Sequence, residues 1–138
     1  MTIALARADH IAMTDTTPTP RVRPRLAASL ILTRRRAGGE REVLLGRRSG
    51  AHVFMPRKYV FPGGRVDRAD GYAKFANELD DEARSVLCRV VSERRARAAA
   101  AAALRETAEE TGLLIAAPGE ASPRPEWDVF RQQGVAPC

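Results

Sequence analysis

Apolar residues along this chain come in short blocks broken by glycines, prolines and charged turns. Residues 26–33, rich in Leu and Ile, read as a buried strand. Residues 34–41, with Gly38-Gly39 inside, read as a hairpin turn, and residues 42–48 return as a second strand through Val43, Leu44 and Leu45. A loop holding Pro56 follows over residues 49–58. Tyr59, Val60 and Phe61 then make a short strand stopped by Pro62-Gly63-Gly64. Across residues 70–91, Phe75, Leu79, Ala83, Val86, Leu87 and Val90 recur at three- and four-residue steps, which predicts helix. Residues 92–111 predict a stronger helix, because residues 98–103 are an unbroken alanine run. Gly112 stands where a left-handed cap would end it. Leu113, Leu114 and Ile115 read as a further strand. Beyond Ala116 the chain loosens around Pro118, Pro123, Pro125 and Pro137, with only Trp127, Val129 and Phe130 suggesting packing.

The first 24 residues read as a disordered tail. Thr14, Thr16, Thr17, Pro18, Thr19, Pro20 and Pro24 offer little apolar surface to bury. Met13 is an alternative start. With 138 residues in all, the chain has room for one domain, residues 25–138.

The predicted helix 92–111 carries the chemistry. At about 100° per residue, Glu106, Glu109 and Glu110 fall within roughly one third of its circumference, while Leu104 and Ala108 point the other way, toward a core. Like charges at these spacings repel. The C-terminal end of a helix also disfavours negative charge. A hard divalent cation with oxygen ligands would offset both costs. Arg105, four residues before Glu109, could brace it as an ion pair. A solvated acidic face explains such a helix equally well when it is read in isolation.

Composition narrows the classes. The net charge is +6, and Lys58 and Lys74 are the only lysines, so the excess is arginine spread along the chain. Such charge suits an anionic small molecule or a nucleic acid. Seven aromatic residues are few for a nucleic-acid surface, so that class is disfavoured. No apolar run approaches the roughly 20 residues that cross a bilayer, and the N-terminus lacks a secretory apolar core. Cys88 and Cys138 make neither a disulfide framework nor a zinc site. A reducing, cytoplasmic setting is expected.

Taken together, Gly64 and the run Arg105-Glu106-Thr107-Ala108-Glu109-Glu110-Thr111-Gly112-Leu113 resemble the Nudix hydrolase family, whose box is G-x5-E-x7-R-E-U-x-E-E-x-G-U with U bulky and apolar. Thr107 departs from the first U. Asp70 stands where the family has Glu. Asp70 and Arg105 are 35 positions apart where the pattern has 8, so roughly 27 residues are inserted, read here as residues 71–97. Inserts of this kind resemble those of the branch that includes coenzyme A diphosphatases. Leu44-Leu45-Gly46-Arg47-Arg48-Ser49, at its distance before Phe61-Pro62-Gly63-Gly64, partly matches the coenzyme A motif of some members. Gly46 replaces a Thr, Val53 stands at an Arg position and Arg57 at a Gly position.

The resemblance implies an α+β fold, a Nudix-type α/β/α sandwich with a mixed sheet and here a helical insert. It implies a Mg²⁺- or Mn²⁺-dependent pyrophosphohydrolase that cleaves a nucleoside diphosphate derivative, with coenzyme A or an acyl-CoA as a candidate. Glu106, Glu109, Glu110 and Gly63 are the expected metal ligands, with Glu106 alternatively the base. Glu106, Glu109 and Arg105 are the expected catalytic set, and Arg47, Arg48, Arg57 and Gly64 would contact substrate. Asp70 could reach the metal as a shorter acid. Residues 116–138 offer little for the remaining strands and helix of such a fold. The alternative is therefore an incomplete or inactive module that binds a nucleotide or a protein, or a chain that completes its sheet in a homodimer.

Overall fold

The computed structural model describes residues 24–48 and 57–138. The tail read over residues 1–24 therefore lies outside the described residues, apart from exposed Pro24. So does Val53.

The centre of the fold is α2 (Glu93–Thr111), 19 residues long. Its alanine run favours helix, and it lets other elements come close: Ala96, Ala98, Ala99, Ala101, Ala102 and Ala103 are all buried. Gly112 ends the helix in the left-handed region at φ 73°, its N–H bonding the Ala108 carbonyl. Thr107, the polar residue at an apolar position, is fully buried and satisfied because its hydroxyl donates to the Ala103 carbonyl at 2.7 Å.

Two strands lie against α2. Strand β1 (Ala27–Ser29) pairs antiparallel with β6 (Gly63–Arg65), with Ala28 opposite Gly64, and both pack on the helix. The glycine pair expected to stop a strand is thus itself a strand. The expected hairpin forms between β2 (Thr33–Arg35) and β3 (Arg41–Val43). Gly39, at φ 88°, supplies its turn. Strand β4 (Gly46–Arg47) pairs with β5 (Tyr59–Val60). The α+β class stands, but the single mixed sheet does not form among the described residues. Four two-stranded antiparallel ladders take its place.

The segment before α2 is less helical than its periodicity predicts. A 3-10 turn at Arg68–Tyr72 precedes α1 (Asp81–Leu87), which starts at Asp80, whose carboxylate caps the Ala83 N–H at 2.7 Å. Between them the backbone is committed elsewhere. Arg97 donates to the Ala73 carbonyl and to Glu78, and Ala76 N–H reaches the Pro137 carbonyl. Those groups are no longer available to a helical ladder. Val86 and Val90 remain exposed.

The larger correction concerns the C-terminal residues. They do not loosen. Strand β7 (Ala116–Pro118) pairs with β8 (Val135–Pro137), and α3 (Asp128–Gln132) lies between them, entered through a 3-10 turn at Pro125–Trp127. The strand begins after Leu113, Leu114 and Ile115 rather than on them. Trp127 and Phe130, both fully buried, pack with ring centroids 5.4 Å apart in one cluster with Ala101 and Ala108 of α2. Burying two such side chains stabilises by several kcal/mol, on the order of 2–3 each. Val129 faces outward.

Candidate active site

The packing leaves α2 with two faces. Ala101, Leu104 and Ala108 face inward, whereas Glu109 and Glu110 are exposed and Glu106 is partly covered. Arg105 sits at the boundary and is almost wholly buried.

A buried guanidinium needs its donors satisfied. Arg105 uses Nε and Nη2 on Asp70, at 2.8 Å and 3.2 Å to Oδ1 and Oδ2. Nη2 also reaches the Arg65 carbonyl at 3.3 Å. Nη1 lies 3.0 Å from Glu106 Oε1 and 3.1 Å from Glu109 Oε1. The bracing of Glu109 expected from the sequence is therefore present, and Arg105 holds Glu106 as well. The hydrogen bonds that Arg105 donates to Asp70, and those to the carboxylate of Glu109, outweigh burial and push the guanidinium pKa further above its already high range.

Asp70 is fully buried and also accepts the Asp67 N–H at 2.7 Å. Both carboxylate oxygens are thus engaged, so it does not face the solvent side where a metal would enter. It is an anchor for Arg105.

Strand β6 runs alongside the acidic turns. Gly63 donates its N–H to Glu110 Oε2 at 3.1 Å. At Gly64 a β-carbon would lie within 2.6 Å of both Glu106 carboxylate oxygens, so the carboxylate rests on bare backbone. At Gly63 the positive φ of 149° and the nearby Ser29 Cα, 2.5 Å from a β-carbon, exclude a side chain outright. Burial pushes the Glu106 carboxyl above its usual range. Arg105 pulls against this, and Glu109 and Glu110 push with it.

The structure thus brings Gly63, Gly64, Arg105, Glu106, Glu109 and Glu110 together. Arg47 and Arg57 make no ion pair with these carboxylates; both are exposed, and Arg57 has a positive φ of 60°. Arg48 is half-buried and engaged elsewhere. The chemistry of the donor set, carboxylate and peptide oxygens, fits a hard divalent cation. In the side-chain arrangement described, no group of three or more His, Cys, Asp or Glu converges on a cation position among the described residues. Arg105 occupies two of the acids, and the Gly63 N–H occupies the third. Sequence reasoning missed Asp70 as the partner of Arg105, because the pairing crosses the whole insert.

One solved structure similar to this chain is that of a NUDIX hydrolase from Alicyclobacillus acidocaldarius. It is 28% identical, with a TM-score of 0.54 over 84% of this chain. The fold is Nudix-like. This Nudix-like chain spans 57% of the length of that hydrolase. No protein-family model matches it, and no curated protein does. Among the described residues, no helix is long and apolar enough to cross a membrane.

Proposed function

We propose that this chain is a Nudix-type pyrophosphohydrolase that cleaves the diphosphate bond of a nucleoside diphosphate derivative with Mg²⁺ or Mn²⁺. The observation carrying this reading is that Glu106 and Glu110 meet the two glycines of β6 while the buried Arg105 holds Glu106 and Glu109 beside them. In this reading Glu109 and Glu110 hold the cation, with Glu106 as a third ligand or as the base and the Gly63 carbonyl as a further oxygen. The cation supplies neutralisation of phosphate charge and an activated water. Arg105 orients Glu106 and Glu109 and touches no substrate. Gly64 lets the diphosphate approach the backbone. Arg47, Arg48 and Arg57 recognise outlying phosphates. The partial motif from Leu44 to Gly64 favours coenzyme A or an acyl-CoA among candidate substrates.

A second reading, a nucleotide-binding module without turnover, is favoured by the carboxylates being tied to Arg105 and Gly63. The two separate in one experiment. The purified chain is incubated with coenzyme A, NADH, ADP-ribose, a dinucleoside polyphosphate and nucleoside triphosphates, with Mg²⁺ or Mn²⁺. Products are separated by ion exchange, beside a Glu109→Gln variant. Metal-dependent cleavage lost in the variant supports the hydrolase. A folded chain that binds a nucleotide but releases no product from any substrate supports the module.

A further inference from the structure

A cavity of about 740 Å³ lies between the amino-terminal end of α2, the start of β1 and the segment leaving β6. Five arginines line it: Arg25, Arg65, Arg68, Arg94 and Arg95. Asp67 is the one acid among the described lining residues, and it lies 3.6 Å from Arg65. Arg25, Arg68, Arg94 and Arg95 have no side-chain partner among the described residues. Glu93, the other nearby acid, is turned toward Arg84 at 3.7 Å. Four uncompensated guanidinium groups around one cavity repel one another and create a strongly positive potential there.

We propose that this cavity is a second binding site, taking a small ligand that carries a polyphosphate group. Guanidinium forks match phosphate oxygens bidentately. The first-turn amides of α2 add to the field, because Ser92 makes no side-chain cap. The cavity volume lies in the range of small-molecule sites, roughly 300–1,000 Å³. None of the described lining residues is aromatic, so no aromatic ring among them stacks a base. That favours recognition of phosphate over recognition of a nucleic-acid strand. Its helix arginines lie far from the acidic residues, 15 residues of helix separating Arg94 from Glu109, about 22 Å at 1.5 Å per residue, while Arg65 of β6 borders both sites.

The test is isothermal titration calorimetry of the full chain with inorganic tripolyphosphate, in EDTA and about 0.15 M salt, the physiological ionic strength. One saturating site per chain is expected. The double variant Arg94→Ala, Arg95→Ala should bind on the order of tenfold or more weakly. Glu109→Gln should bind as the native chain does, which keeps this outcome separate from that of the hydrolase assay. A thermal melt checks the fold, and Arg68→Ala, outside the helix, repeats the test. Unchanged affinity in both arginine variants overturns the proposal. So does loss of binding in Glu109→Gln, absence of saturable binding, or an oligonucleotide that binds without being displaced by tripolyphosphate.

Discussion

Asp70 and Arg105, 35 positions apart in sequence, meet in a two-point ion pair with both side chains almost fully buried. The pair joins the end of the β6 loop to the helix that carries Glu106, Glu109 and Glu110, and it closes the base of the insert. The insert can therefore be long without displacing the acids from Gly63 and Gly64.

Removing Asp70 strips the buried Arg105 guanidinium of its two-point partner but leaves Glu106 and Glu109 on Nη1. Asp70→Ala is therefore expected to lose stability in urea denaturation by less than the about 3–5 kcal/mol of a wholly unpaired buried charge, yet by more than about 1 kcal/mol. A loss below about 1 kcal/mol would show that Glu106, Glu109 and the Arg65 carbonyl suffice to hold Arg105.

The two glycines of β6 should respond differently to alanine. At Gly64 the obstacle is the flexible end of Glu106. Gly64→Ala should therefore fold nearly normally while displacing the carboxylate, with turnover falling on the order of 10²-fold, as expected for an angstrom-scale misplacement. At Gly63 the obstacle is the backbone of β1 and a positive φ. Gly63→Ala should lower the melting temperature by several degrees, since each kcal/mol is worth about 4 °C for a chain between about 100 and 150 residues. Equal melting temperatures for the two variants would contradict this division.

Glu78 supplies a pH test away from the site. Hydrogen bonds from Arg97 hold its carboxyl below the usual 4.5, against a smaller opposing effect of burial. A carboxyl depressed in the folded state adds stability above its unfolded value, and that stability is lost as pH falls through the folded value. The side chain is 56% exposed, so the contribution is below about 1 kcal/mol. Glu78→Gln should be less stable than the native chain at pH 7, with the difference closing in acid, as pH falls below the carboxyl's ordinary value. Denaturation midpoints at pH 7 and in acid check this, and a gap that persists in acid would refute it.

Much of the candidate site was legible beforehand because it is local. Glu106, Glu109 and Glu110 share a face through helix geometry alone, and Arg105 reaches Glu109 within one turn. Ala98 to Ala103 and Gly112 specify α2 and its end by propensity and by a left-handed cap. Less local features were misread. Residues 70–91 carry a helical apolar period, yet Arg97 and Pro137 take the backbone groups of Ala73 and Ala76. The prolines after Ala116 look like loosening, yet they frame a two-stranded ladder with α3 between its strands, and Trp127 and Phe130 fill the space beside the small residues of α2.

The sequence by itself determined the acidic helix, its cap and the glycine pair, because helix periodicity and glycine's missing β-carbon act over a few residues. Tertiary structure alone decided that Asp70 anchors Arg105, that Gly64 seats Glu106, and that Trp127 and Phe130 of the C-terminal segment pack on α2. Those contacts join groups 19 to 42 positions apart, as Trp127, Phe130, Asp70 and Gly64 each meet α2 across intervening chain. No local pattern encodes such a pairing; it is selected by the burial of two aromatic rings together with a guanidinium whose donors must be satisfied.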